Sequence, residues 1–128
     1  MAAKVTWHPS GVGALWALLA VAVGASGAHL LSDFVSPERL TAFETGARYH
    51  MYHALGLVAT QALPVHAHRV APLLLAGRAV FSGSLYLLVL TNAAWLGAVT
   101  PVGGALQLAG WGWLAWLLLS RPRRDGAR

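Results

Sequence analysis

The sequence contains no cysteine. That excludes disulfides, thiolate metal sites and cysteine catalysis, and leaves the redox compartment open. Charge is nearly as scarce: charged residues make up 10% of the 128 positions, against about 25% in an ordinary soluble domain. Hydrophobic residues reach 57% and the mean hydropathy is +0.59, so lipid rather than water is the expected solvent. A nucleophile elbow, a phosphate loop and paired catalytic carboxylates are all missing. The chain is therefore expected not to be an enzyme.

What charge there is runs positive, at +5 with a pI near 10.8. The basic residues form no single face, as a nucleic-acid surface would require. Arg121, Arg123, Arg124 and Arg128 instead gather in a tail over 120–128, which suits anionic headgroups on the cytoplasmic side. The lipid bilayer is thus an expected partner and nucleic acid is not.

About 20 apolar residues cross the hydrocarbon, and the chain offers four spans, near 11–31, 37–63, 72–90 and 101–119, within a single domain over 1–128. Ser36, Pro37 and Glu38 have the form of an N-cap, a first-position proline and an acid in the first turn, which starts the second span. Pro64 discourages its continuation, and Pro72 and Pro101 open the third and fourth. Lys4, Arg69 and the tail arginines fall on one side; Arg39 and Arg48, with Asp33, Glu38 and Glu44, fall on the other. The fold class is all-α, an integral membrane four-helix bundle with both termini cytoplasmic. Lys4, the first apolar stretch and the run Gly24 to Ala28 also resemble a cleaved signal peptide, but that stretch is long enough to span.

Membrane helices associate through close backbone approach at small residues. Ala20, Gly24 and Ala28, with Gly27 beside them, supply such a stripe in the first span. Ala79 and Gly83 supply one in the third, and Ala105, Ala109 and Gly112, with Gly103 and Gly104, do so in the fourth. On the second, Gly46, Tyr49, His53, Gly56 and Thr60 share an arc of roughly 80° at 100° per residue, with His50 at its border. Ser82, Gly83 and Tyr86 form a matching stripe on the third, and the two stripes are expected to face each other. Glu44 and Arg48 lie on the opposite face, spaced to pair.

The run Gly24-Ala-Ser-Gly-Ala-His29, Glu44-Thr45 leading to Tyr49-His-Met-Tyr-His-Ala-Leu55, Phe81-Ser-Gly-Ser-Leu-Tyr86, Thr100-Pro-Val-Gly-Gly104 and Gly110-Trp111 together resemble the domain-of-unknown-function 423 family, which includes animal transmembrane protein 256. The resemblance spans about Gly11 to Ala115 and implies a small multi-pass membrane protein with no established activity. It supplies no catalytic residues. Ser26 departs from it, standing where a bulkier aromatic residue is expected.

Ionisable groups within the membrane are functional candidates by default. The candidate polar cluster is His29, Glu44, Arg48, Tyr49, His50, His53, Ser82, Ser84 and Tyr86. His29 and His53 could ligate haem or a metal from two helices, although no metal or cofactor is assigned; the same histidines with Glu44 and Arg48 could form a proton or solute path; or they could simply bond Tyr49, Ser82, Ser84 or Tyr86. Arg78, six residues into the third span, is expected to snorkel to the headgroups, or otherwise to bind an anionic lipid. Trp111, Trp113 and Trp116 are expected to pack and meet lipid. The leading expectation is a self-associating bundle, a homo-oligomer, or an accessory subunit of a larger membrane complex, in a bacterial-type inner membrane.

Overall fold

The computed structural model describes residues 8–63 and 69–120. Lys4, the 64–68 connection and the arginine tail over 121–128 lie outside the described residues. Four helices follow one another: α1 (Pro9–Ser26), α2 (Pro37–Thr60), α3 (Ala71–Thr91) and α4 (Leu96–Leu119). Among the described residues there are no strands.

Each helix begins and ends for a local reason. Pro9 sits in the first turn of α1, where its missing N–H costs nothing. The helix then widens into a π-helical turn over Gly27–Leu31. Gly27 is buried there because any side chain would strike the Phe43 ring. The Ser36 hydroxyl accepts the Arg39 N–H at the start of α2 as expected. α2 stops at Thr60, short of Leu63, where the Thr60 hydroxyl turns back to the Leu57 carbonyl at 2.7 Å. Asn92, in the left-handed conformation at φ 57°, ends α3 and allows a tight link to α4.

α4 begins at Leu96 rather than at Pro101, so the proline is internal. The expectation that proline marks the first turn fails here. Pro101 removes one helical N–H, and the local hydroxyl of Thr100 bonds the Leu96 carbonyl at 3.2 Å and Ser84 Oγ at 2.8 Å. That crosslink ties the first turns of α4 to α3.

Consecutive helices form the three main interfaces, α1 with α2, α2 with α3 and α3 with α4. At the last, Gly77 and Gly103 bring the two backbones together: a methyl on Gly103 would lie 2.7 Å from the Gly77 carbonyl oxygen. Leu74, Gly110 and Leu114 extend the seam. The buried residues of α4, Leu96, Gly103, Gln107, Gly110 and Leu114, occupy an arc of only about 60° at 100° per residue.

The small-residue stripes divide differently from expectation. A Cβ built on Gly24 would lie 4.0 Å from the Ala47 methyl, and Gly46 fits beneath Tyr86 and Leu85, so these do pack. A Cβ built on Gly104 would meet the Phe81 ring at 3.9 Å, an ordinary contact, and Gly56 lies under the Trp111 ring. Gly83 and Gly112 meet nothing within 4 Å, and Ala79, Ala105 and Ala109 are exposed. On α4 that stripe points away from the seam with α3.

Three helical segments, Pro9–Leu31, Ala71–Thr91 and Leu96–Leu119, are long and apolar enough to cross a membrane. α2 is as long as α4 at 24 residues, but its polar and charged residues set it apart from those three. It is flanked on two sides by α1 and α3.

Candidate functional site

Antiparallel packing brings Trp16 of α1, His50 of α2 and Arg78 of α3 to one level. On α3 that level lies about 10 Å from the helix start, at 1.5 Å per residue. Arg78 is 2% exposed and is the largest fully buried side chain. Its guanidinium carbon lies 3.9 Å from the Trp16 ring centroid, a stacked cation–π contact. Trp16 in turn meets His50 edge to face at 5.4 Å.

The expectation that Arg78 snorkels is thereby overturned. Depth along α3 would permit it to reach the headgroups, but its position around the helix axis points it between α1 and α2. The Trp16 face holds it there. Nε and Nη2 of Arg78 have no hydrogen-bond partner among the described residues, and neither has Nε2 of His50. Both side chains line a cavity of about 150 Å³, which Ala79, Ser82, Gly83 and Tyr86 complete.

The polar stripes of α2 and α3 do meet, as the sequence indicates, but through different pairs. His50 Nδ1 lies 3.1 Å from the Tyr86 hydroxyl, while His53 Nδ1 bonds the Tyr49 carbonyl within its own helix at 2.8 Å. Ser82 donates across the interface to the Gly46 carbonyl at 2.9 Å, and Ser84 turns to α4 and Thr100. The donor in the His50–Tyr86 contact is set by the imidazole tautomer; when the phenol donates to Nδ1, the imidazole hydrogen sits on Nε2. Arg78 and His50, which both line the cavity, thus hold three buried nitrogens without a partner among the described residues, two on Arg78 and one on His50.

Ser82→Ala leaves the Gly46 carbonyl without that donor but opens little volume. A loss of about 1 kcal/mol in unfolding free energy, read by denaturing-detergent titration in mixed micelles, is the expected result.

The other candidates spread over the molecule. Tyr49 is exposed, with its ring stacked on His53, tilted against Phe81 and edge to face with Tyr52. With His53, Gln107 and Trp111 it lines a second groove, of about 480 Å³. Glu44 and Arg48 are exposed, away from the cavity. His29 is exposed on the π-helical turn, at the end of the molecule where α2 begins. His53 lies 16 residues along α2, about 24 Å deeper, so the pair cannot share one metal or haem. Among the described residues no three histidines, aspartates or glutamates gather at metal-binding spacing.

Trp16 is the member of this site that sequence reasoning missed, and Arg78 was expected at the headgroups or on an anionic lipid rather than between helices. An arginine inside an apolar span was the available signal. Its helix-facing direction could not be read without knowing which neighbours surround α3.

Four packed helices, three of them apolar enough to span, with a buried arginine and histidine in their interior, define a small helical membrane protein. The chain belongs to the DUF423 family, described as a protein family of unknown function, whose pattern matches residues 23–104. It is similar to a UPF0382 membrane protein of Staphylococcus saprophyticus, 43% identical over 104 residues that cover 78% of this chain and 87% of the relative. A UPF0382 membrane protein of Bacillus subtilis is 42% identical over 106 residues, covering 78% and 86%. One from Schizosaccharomyces pombe is 38% identical over 108 residues, covering 78% and 92%. No solved structure matches.

Proposed function

We propose that this protein is a non-enzymatic, four-crossing bundle of a bacterial-type cytoplasmic membrane that assembles with a second copy of itself through the outer face of α4. The observation behind the reading is the stripe Ala105, Ala109 and Gly112, exposed on α4 and with open space before Gly112. In lipid no hydrophobic force holds helices together, and small residues favour contact because they let backbones approach. This stripe has the right spacing, and among the described residues it is exposed along its length.

Four crossings follow from placing α2 in the same layer as the helices on either side of it. Arg69 then shares a side with the N-terminus and the arginine tail, and Arg39, Arg48, Asp33, Glu38 and Glu44 take the other. The excess of basic residues supports cytoplasmic termini. The bacterial relatives support the choice of membrane.

The test substitutes Gly112→Leu and Ala109→Leu and counts subunits by single-molecule photobleaching in liposomes. Because a side chain at Gly112 meets nothing in the monomer, the fold should be unaffected. Overpacking an interface costs about 1–3 kcal/mol, so dimer association should weaken about tenfold or more. Wild-type protein that is monomeric at all densities, or dimers indifferent to both substitutions, would overturn the proposal. Co-purification of a different membrane protein on this face would replace self-association with an accessory role.

A further inference from the structure

The cavity beside Arg78 presents a combination that packing does not explain. A guanidinium remains charged in proteins under all ordinary conditions, and this one is 2% exposed. Trp16 covers its flat face at 3.9 Å but cannot accept its in-plane hydrogens. The two orphaned nitrogens, Nε and Nη2, share one edge of the guanidinium plane. Their N–H bonds run parallel, the arrangement that grips two oxygens of one planar anion. The third orphan, His50 Nε2, brings a donor from the facing helix.

We propose that this cavity is a binding site for a carboxylate, held edge-on by Nε and Nη2 of Arg78 with His50 Nε2 as the third donor. One fixed positive charge matches one negative charge, whereas a phosphate dianion would leave an uncompensated charge in a low-dielectric interior. A halide, being a single point, would use the parallel pair poorly. The remaining walls are Trp16, Ala79, Gly83 and the Tyr86 ring, apolar or without a side chain, and Ser82, whose hydroxyl hydrogen is already given to the Gly46 carbonyl; they suit a short hydrocarbon body. A volume of about 150 Å³ is comparable to an engineered cavity that accepts benzene. Tyr86 fixes the donor tautomer of His50 from 3.1 Å, and is a positioning residue.

The carboxylate could come from a small solute or from a fatty acid in the bilayer, and one experiment separates them. Protein labelled with ¹⁵N-arginine is placed in nanodiscs of zwitterionic lipid, and the Arg78 Nε–H resonance is assigned by its disappearance in Arg78→Lys. Sodium butyrate is added in one arm and oleic acid in the other, with sodium chloride and sodium phosphate as controls. A saturable downfield shift with butyrate indicates a soluble ligand; one with oleic acid alone indicates a membrane-borne one. Either supports the site. A resonance that stays fixed in both arms, or moves as far with chloride or phosphate, overturns it. His50→Phe keeps the ring but removes the donor and should weaken binding about tenfold, the worth of one hydrogen bond to a charged group. Unchanged affinity in that variant would overturn the role given to His50. The first readout uses the wild-type chain, so the result does not hinge on how any variant folds.

Discussion

Gly103→Val is expected to abolish the close packing of α3 and α4. A Cβ at this position would lie 2.7 Å from both the Gly77 carbonyl oxygen and the Phe81 Cα. These are backbone atoms, so no side-chain rotation can relieve the clash and the helices must separate. Separation would also stretch the Ser84–Thr100 hydrogen bond and unpack Leu74 from Gly110. Overpacking typically costs about 1–3 kcal/mol where side chains can yield, and here the loss should be at the upper end or beyond. Denaturing-detergent titration monitored by circular dichroism measures it. Gly11→Val on α1 is the control, because a Cβ at that position meets nothing within 4 Å; equal loss in the two variants would contradict the α3–α4 seam.

The second large effect has the opposite sign. Arg78→Met should make the protein more stable, by roughly 1–2 kcal/mol. Methionine keeps the length and most of the apolar stem while removing a buried charge whose Nε and Nη2 are without partners among the described residues. Replacing buried charges by apolar groups of similar volume stabilises by about 1–4 kcal/mol in measured cases. The lost stacking on Trp16 subtracts as much as about 2 kcal/mol. The measurement is the same titration, in lipid and buffer free of carboxylates. Stabilisation would mean that the arginine is kept for something other than the fold. Destabilisation would mean that the guanidinium has a partner within the bundle, and that the cavity is structural.

The sequence made the helices legible where chemistry acts locally. Ser36, Pro37 and Glu38 mark the start of α2 because capping involves atoms a few residues apart. Pro101 misled because a proline near a helix start and one five residues inside it look alike in sequence; the hydroxyl of Thr100 and the Ser84 contact that tolerate it belong to the folded chain. Small residues at every fourth position likewise identify surfaces made for close approach. They do not say whether the approaching helix belongs to the same chain. Gly103 and Gly110 face α3, and Ala105, Ala109 and Gly112 face away, although both sets have helical spacing.

The candidate site was legible by residue type more than by partnership. Histidines and hydroxyls on the second and third spans do form one polar interface, yet His50 rather than His53 bonds the Tyr86 hydroxyl. The two histidines are three residues apart and diverge by about 60° around the helix. That is enough to turn one toward α3 and the cavity while the other bonds its own backbone. Arg78 shows the same gap: sequence position sets its depth, but only the packed neighbours set its direction.

The polarity of α2 bears on how the protein is made. A helix carrying Glu38, Arg39, Glu44, Arg48, His50 and His53 is a poor candidate to leave the translocon alone, since each charge at membrane depth costs about 2.5–3.5 kcal/mol on insertion scales. Its polar groups find their counterparts late in synthesis: Ser82 for the Gly46 carbonyl, and Val89 as acceptor for the Arg39 side chain. Both belong to α3, which leaves the ribosome after α2. On the four-crossing reading proposed above, biogenesis favours a hairpin in which α2 waits at the lateral gate and enters the bilayer together with α3, after α1. A chain cut before α3 would leave α2 with no reason to stay in lipid.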